Sequence, residues 1–282
     1  APDEEPDRLE LGRLAHESLA VFVRDWTQEM GAGAPITSDT IEQALAMLRR
    51  RVEDAFHRHE HSRLVVVPAL WEAVTGRLLT DLLAWPPEEA KINSKHEPGF
   101  FGPLLAEQRY GYGDAPALLL GADDELVRIG GYIDLIELVA LPDGAPLGYA
   151  VYDFKTSAGS PSMLDIAEGR ELQLPLYIMA AERLLAAEYG ALECVFASYY
   201  RLHGARAKRA SQITPGANGR DELLAVAERF VLEYTRAIRA GRFPVSPTGK
   251  TTCEHCDIRS ACRYADWRTE MKMGEKVGTD GN

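Results

Sequence analysis

The stretch "IGGYIDLIELVALPDGAPLGYAVYDFKTS", residues 129–157, decides the fold. Two segments rich in strand-forming residues flank the turn-forming run Pro-Asp-Gly-Ala-Pro at 142–146, which predicts a β-hairpin. The first strand contains Asp134 and the second contains Asp153 and Lys155. Because a charge inside an apolar strand is costly unless something pairs it, these three residues indicate either an ion pair or a chemical site.

The hairpin would bring the three charged side chains together. Residues two apart in a strand face the same side, so Asp153 and Lys155 project together and Asp134 lies beside them on the neighbouring strand. Two carboxylates and a lysine suit a hard cation such as Mg²⁺ and the hydrolysis of a phosphodiester. The residues alone leave an alternative open, in which Asp134 and Lys155 form a strand ion pair and Asp153 faces solvent.

Composition sets broad limits. The chain has 282 residues with 46% hydrophobic content, enough for one large domain or one domain with an appended lobe. No apolar run approaches the roughly 20 residues of a membrane helix, and the start is acidic and polar, so we expect no membrane association and a cytoplasmic location. The net charge of −12 argues weakly against nucleic acid, although the basic stretch "RLHGARAKR" at 201–209 could hold a nucleic-acid backbone.

Periodicity divides the chain into a helical first third and a strand-rich middle. Helices are predicted over 9–30, from a cap at Ser38 or Asp39 to about His59, and over 64–85, where Pro86 and Pro87 should stop the third. Downstream, the patterns indicate antiparallel strands joined by short turns and then three further elements. These are a helix over 168–190 despite Pro175, a strand over 193–202, and a helix over 221–241 ended by Gly241.

Four motifs in register resemble those of the PD-(D/E)XK superfamily, in the branch that contains the RecB and AddB nuclease domains. They are Gly12 with His16, Gly131-Tyr132-Ile133-Asp134, Asp153-Phe154-Lys155-Thr156, and Gln173 with Tyr177. The resemblance implies an α/β fold with a restriction-endonuclease-like core, in which helices flank a central mixed sheet, and an N-terminal helical lobe. It predicts a single nuclease domain over 1–270, divided into a helical lobe (11–95), a catalytic core (96–215) and a C-terminal helix with a cysteine segment (216–270), followed by a flexible tail (271–282).

The resemblance also implies roles for the motif residues. Asp134 and Asp153 would hold Mg²⁺ or Mn²⁺, His16 would be a further ligand, and Lys155 would serve the attacking water. Gln173 and Tyr177, four residues apart on one helix, would line the site or touch the DNA backbone; the alternative is a helix face packed on the sheet. Glu107, in "LLAEQRYG", occupies a place where the family often has a glutamate.

A cysteine cluster follows the last helix. Cys253, Cys256 and Cys262 lie within ten residues, and with His255 they suggest zinc on residue type alone. In AddB-type nucleases, cysteines with this spacing join one N-terminal cysteine to hold a [4Fe-4S] cluster, but residues 1–11 contain no cysteine, and Cys194 reads as a buried strand residue. We therefore expect the chain to be a fragment whose preceding part carries the fourth ligand; otherwise the cluster is absent, degraded or completed by another group.

The function expected from these patterns is a metal-dependent DNA nuclease, exonucleolytic in type. By the resemblance it would be the nuclease domain of a helicase-nuclease in double-strand break repair and recombination, partnered by a helicase subunit or domain, because the chain contains no Walker motif. Two alternatives stay open: a non-catalytic DNA-binding scaffold of the same fold, and a stand-alone exonuclease of the CRISPR-adaptation type.

Overall fold

A computed structural model describes residues 8–62, 68–95, 99–215, 219–243, 253, 254, 256 and 258 of the chain. The chain divides into two compact units, Ala1–Leu232 and Glu233–Asn282. The predicted extent of one nuclease domain over 1–270 stays a prediction, and the predicted tail lies outside the described residues.

The first third is helical, as the sequence predicts. The described α-helices are α1 (Arg8–Met30), α2 (Ile41–Ser62), α3 (Pro68–Leu82), α4 (Trp85–Asn93), α5 (Met163–Ala167), α6 (Gln173–Tyr189) and α7 (Arg220–Arg239). One detail differs from the expectation: Pro86 and Pro87 do not simply stop a helix, since they occupy the first turn of α4. Proline is tolerated there because the first-turn amides have no partner within the helix.

The strands form one mixed sheet and one small ribbon. They are β1 (Phe100–Tyr110), β2 (Leu118–Leu120), β3 (Val127–Ile129), β4 (Gly131–Ala140), β5 (Pro146–Lys155), β6 (Cys194–Leu202) and β7 (Ala207–Ile213). The five-stranded sheet has the order β1-β4-β5-β6-β7, and β2 pairs with β3 apart from it. Neighbours are antiparallel except β5 and β6, which are parallel because α5 and α6 carry the chain across the sheet between them. The expected α/β class with a central mixed sheet is confirmed.

The predicted hairpin between β4 and β5 is present. Gly144 has φ +84°, and its amide donates to the carbonyl of Leu141 at 2.8 Å. The Asp143 carboxylate accepts from the amide of Ala145 at 3.0 Å. This turn joins the two antiparallel strands that carry Asp134 and Asp153, and Leu147, an extra residue between the pairs Ala140–Pro146 and Val139–Gly148, shifts their register by one position.

Apolar side chains cover both faces of the sheet. On one face, Leu135 and Tyr152 pack in a cluster with Phe22 of α1 and Trp85 of α4. On the other face, a second cluster joins strand residues to the buried side of α6, including Ile136, Val151, Leu174, Ile178 and Tyr199. The helices therefore hold β1, β4 and β5 from both sides, and the ends of these strands carry the candidate site.

Candidate active site

Three carboxylates lie in one row across three neighbouring strands. Leu135 of β4 pairs with Tyr152 of β5, so the next position along places Asp134 opposite Asp153. On the other side of β4, Ala106 pairs with Leu135 and Gln108 with Ile133, which places Glu107 opposite Asp134. Glu107, Asp134 and Asp153 thus come from β1, β4 and β5 at the same level of the sheet.

A β-bulge in β1 produces this alignment. Pro103 pairs with Glu137 and Leu105 with Ile136, so Leu104 is an extra residue in the ladder. With a regular ladder continued from Pro103, Ala106 would lie opposite Asp134 and Glu107 would face the other layer of the sheet. Glu107 also has φ +47°, a left-handed conformation that is unfavourable for a residue with a side chain. Backbone strain of this kind is concentrated at functional sites.

Asp134 is held rigidly where β4 and β5 part. Its Oδ2 accepts from the amide of Phe154 at 2.7 Å, and its Oδ1 accepts from the Tyr177 hydroxyl at 3.2 Å. The residue is only 6% exposed. Burial, reinforced by the charge of Asp153, raises the pKa of Asp134 to about 7, against the opposing effects of His16 and the Phe154 amide.

His16 of α1 reaches the same carboxylates. Its Nδ1 is 2.9 Å from Oε1 of Glu107 and 3.6 Å from Oδ2 of Asp134. Burial lowers the pKa of His16, but the hydrogen bond to Glu107 and the negative charges of Asp134, Glu107 and Asp153 outweigh it and raise this pKa to about 9. The cluster thus attracts positive charge strongly.

The donor set fits a divalent cation. Ligand atoms of His16, Glu107 and Asp134 all lie within 4.8 Å of one another. Carboxylate oxygens are the ligands that Mg²⁺ and Mn²⁺ prefer, and an imidazole nitrogen is an added donor. Burial raises the pKa values of both Asp134 and Asp153, and the charge of Asp153 raises that of Asp134 further. A cation placed among these groups would favour their ionised forms.

A hydrogen-bonded chain connects the lysine to the carboxylates. The Lys155 Nζ lies 2.7 Å from Oδ2 of Asp153 and donates to Oε1 of Gln173 at 3.1 Å. The Gln173 amide donates to the Tyr177 hydroxyl at 3.0 Å, and that hydroxyl in turn donates to Asp134. Gln173 and Tyr177 of α6 therefore contact Lys155 and Asp134, and Tyr177 is buried rather than displayed to solvent.

A groove leads away from His16 and Glu107 between α1 and the edge strand β1. Its volume is about 810 Å³, and its lining combines apolar side chains with the arginines Arg13 and Arg24. Gly12 lies one helical turn before His16, and a Cβ atom there would meet nothing within 4 Å. The groove is thus open up to the edge of the carboxylate row.

The structure brings together every residue that the sequence assigned to the metal and catalytic site: His16, Glu107, Asp134, Asp153, Lys155, Gln173 and Tyr177. A family model for the PD-(D/E)XK nuclease superfamily matches residues 1–263. The chain belongs to the PD-(D/E)XK nuclease superfamily. Membership implies a metal-dependent nuclease, in agreement with the donor set.

Two further comparisons add little to this PD-(D/E)XK assignment. No curated protein matches the chain. A solved structure described as "Crystal structure of SSO0001" is similar at 15% identity with a TM-score of 0.33, over 89% of this chain and 84% of that chain. A TM-score of 0.33 is too low to support a conclusion about this chain.

The structure also describes three of the four cysteines and the helices of this superfamily member. Cys253 is buried and Cys256 partly exposed, and no disulfide joins the described cysteines. Cys262 and His255 lie outside the described residues. Cys194 is buried in β6, and burial raises the pKa of its thiol to about 12. Within the described chain, the helices are too short or too polar to cross a membrane.

Two features of this nuclease fold were not found from the sequence. The first is the β-bulge at Leu104, which sets the level in the sheet of Glu107, a residue that the sequence did single out. A second buried charge cluster, in which Arg209 lies 3.2 Å from Glu89 and 3.6 Å from Glu137, was missed altogether. Its members come from α4, β4 and β7, so no local motif signals it.

Proposed function

We propose that this chain is a DNA nuclease that hydrolyses phosphodiester bonds with Mg²⁺ or Mn²⁺. The observation that carries the proposal is the row of Glu107, Asp134 and Asp153 across three strands, with His16 at one end and Lys155 at the other. An ordinary structural ion pair needs one partner for each charge. Three carboxylates at one level of the sheet carry more negative charge than one lysine and one histidine can neutralise. A divalent cation would supply the missing positive charge.

Each residue has a proposed part. Asp134, Asp153, Glu107 and His16 would hold the ion, and a divalent ion bound there would lower the pKa of a bound water and offset negative charge at phosphorus. Lys155 carries its ammonium next to Asp153, where it can orient the attacking water or offset charge on the phosphate. Its bond to Gln173 restricts the lysine to one arrangement.

Gln173 and Tyr177 act by positioning rather than by contact with DNA. Each has its polar atoms engaged inside the site, with Lys155, with Asp134 or with the other. Replacement of Gln173 by alanine should therefore lower turnover and shift the pH profile of the reaction, since Lys155 loses one of its two partners and keeps only Asp153. Glutamate at this position would retain the acceptor and recover part of the activity.

The finer substrate assignment is also a proposal. DNA, exonucleolytic action, a helicase subunit or domain as partner, and a role in break repair and recombination are supported by the resemblance of the four motifs to RecB and AddB nuclease domains. The groove of α1 and β1, with Arg13 and Arg24 on its lining, offers a path for a phosphate backbone up to the carboxylates.

We propose further that the C-terminal cysteines hold a [4Fe-4S] cluster in the intact protein. The support is the spacing of Cys253, Cys256 and Cys262 and its likeness to AddB-type nucleases. Anaerobic purification with metal analysis and an absorbance spectrum tests this directly. A brown protein with iron supports the cluster, whereas a colourless protein with stoichiometric zinc overturns it.

The nuclease proposal is tested with Asp153→Ala on labelled single-stranded DNA in Mg²⁺ and in Mn²⁺. We expect the parent to cleave and the variant to lose at least about 100-fold in rate, the scale of losing one electrostatic group at a reacting centre. Asp143→Asn in the β4–β5 turn is the control, because it removes an exposed negative charge and keeps the oxygen that accepts from the Ala145 amide. Absence of cleavage by the parent, or equal cleavage by Asp153→Ala, would favour the scaffold.

A further inference from the structure

We propose that Tyr112 and Tyr132 form a stacking surface for an unpaired base of the nucleic acid strand, one step away from the carboxylate row. This inference rests on the proposed function and specifies the substrate as single-stranded next to the cut. The two tyrosines and Arg109 are called the tyrosine platform below.

The two rings form an exposed aromatic pair. Their centroids are 5.9 Å apart with an interplanar angle of 24°, and Tyr112 and Tyr132 are 50% and 48% exposed. A stacked pair in solvent gains little from burial, but it holds both rings in a fixed orientation. One aromatic face on such a pair is a general site for a nucleobase, because every base has an apolar face.

Glycines leave the space that this pair needs. Gly111 has φ +73° where the chain leaves β1, and a Cβ there would lie 2.5 Å from Cα of Gly130. A Cβ on Gly130 would lie 3.2 Å from the Tyr112 ring. Side chains at these two positions would displace the loop and the ring, so the backbone is built to let Tyr112 lie against Tyr132.

The platform adjoins the carboxylate row. Tyr132 precedes Asp134 by two residues on β4, so the two side chains project on the same side about 7 Å apart along the strand. Across the ladder, Arg109 pairs with Tyr132 as Glu107 pairs with Asp134. A strand whose phosphate lies at the carboxylates would therefore bring a neighbouring nucleotide to Tyr132 and Arg109.

The positive charge of Arg109 beside the rings favours a nucleic acid strand as the ligand of the platform. Arg109 is exposed, and its guanidinium extends towards Gly113, where a Cβ would lie 3.3 Å from Nη2. An aromatic surface with a cation beside it matches a base and its phosphate. A base in a duplex has its faces covered by stacking, so the platform favours single strands and frayed ends.

The test measures binding separately from cleavage. A fluorescent oligothymidylate is titrated with the full chain in Ca²⁺, which replaces Mg²⁺ to slow cleavage, and anisotropy gives Kd. We expect Tyr132→Ala and Tyr112→Ala each to weaken binding by about 5- to 30-fold. Tyr132→Trp should bind as tightly as the parent or more tightly. Tyr189→Ala, at the far end of α6 some 24 Å from Gln173, controls for the loss of a tyrosine.

A second ligand separates stacking from a general loss of affinity or fold. An oligonucleotide of the same length that lacks all bases has the phosphates but nothing to stack. The parent should bind it more weakly than the oligothymidylate, and Tyr132→Ala should bind the two alike. Arg109→Ala should weaken both ligands by the same factor. Retention of the full base preference by Tyr132→Ala, or no binding of oligothymidylate by the parent, overturns the platform.

The result is distinguishable from failure of the nuclease proposal. A parent that binds through the platform but does not cleave in Mg²⁺ or Mn²⁺ keeps the stacking surface and removes the catalytic assignment. If the parent cleaves DNA and Tyr132→Ala binds and cleaves it as the parent does, the nuclease proposal stands and the stacking surface is overturned.

Discussion

Replacing Asp134 by asparagine should stabilise the metal-free protein at about pH 8 while abolishing its nuclease activity. The carboxylate is buried, faces Asp153 across the β4–β5 ladder and accepts hydrogen bonds from Phe154 and Tyr177. Asparagine keeps the shape and one accepting oxygen but removes the charge. The variant thus isolates the cost of holding a negative charge at this position.

The magnitude follows from the pKa of Asp134, which burial and Asp153 raise from 3.8 to about 7. Because the folded state keeps its proton to a higher pH than the unfolded chain, stability falls as pH rises from about 4 to about 7 and stays low above that. Three pKa units correspond to about 4 kcal/mol. Part of this is shared with Asp153 and His16, and the amide cannot satisfy both donors, so we expect a gain of about 2 kcal/mol.

Urea unfolding in EDTA measures this gain. Parent and Asp134→Asn are compared at about pH 8 and about pH 4, with Asp143→Asn in the exposed hairpin turn as a control for the same change in net charge. At the lower pH the difference should shrink towards zero, because the carboxyl group is then largely protonated in the folded state. Saturating Mn²⁺ should reverse the order, since an ion at about 100 times its Kd adds about 2.7 kcal/mol to the parent.

Two results would refute the reasoning. One is a variant less stable than the parent in EDTA at about pH 8, which would mean that the hydrogen bonds of Asp134 outweigh the crowding of charge. The other is a gain that is equally large at about pH 4, which would assign the effect to packing rather than to ionisation.

Three other substitutions test separate features. Arg209→Met should lower the free energy of unfolding by about 3–5 kcal/mol in urea, because it leaves the carboxylates of Glu89 and Glu137 buried without their cation, and adding Glu137→Gln should recover part of it. Glu107→Gly should be more stable than Glu107→Ala by about 1 kcal/mol in the same assay, since only glycine adopts φ +47° without strain; equal stabilities would remove the strain argument. Gly12→Ala should raise the free energy of unfolding by about 0.5–1 kcal/mol, because a Cβ fits there in a helix; a less stable variant would show that the groove beside α1 is closed at Gly12.

Local patterns in the sequence were enough to predict the hairpin and most of the site. The run 142–146 contains the turn residues that a two-strand connection needs, and the alternation around Asp134 and Asp153 sets their faces. The register that places the two carboxylates opposite each other also depends on Leu147, an extra residue next to the turn, because a regular ladder continued from the Ala140–Pro146 pair would place Tyr152 opposite Asp134. His16, Gln173 and Tyr177 needed the family resemblance, because a helix pattern does not say which strand its polar face will meet.

Features that depend on non-local packing were not predictable in this way. Gly102 and Pro103 are compatible with an edge strand or a bulge but do not indicate which residue is extra, so the level of Glu107 in the sheet was open. Arg209 lies among the rings of Phe101, Tyr152, Phe196 and Tyr200, each centred within 5.7 Å of its guanidinium carbon, and these rings come from three different strands, β1, β5 and β6. The basic stretch 201–209 therefore supplies at least one charge to the interior rather than to a nucleic-acid backbone.

Because of the extra residue Leu104, the number of residues in β1 decides whether Glu107 reaches the carboxylate row. The beginning of the strand is anchored by the side-chain amide of Asn93, which bonds both the amide and the carbonyl of Phe101. The later half must bring Glu107 level with Asp134. Homologues in which this strand has no bulge should be one residue shorter between the positions of Phe101 and Glu107. A chain of equal length without the bulge would place the Glu107 side chain on the opposite face of the sheet from Asp134.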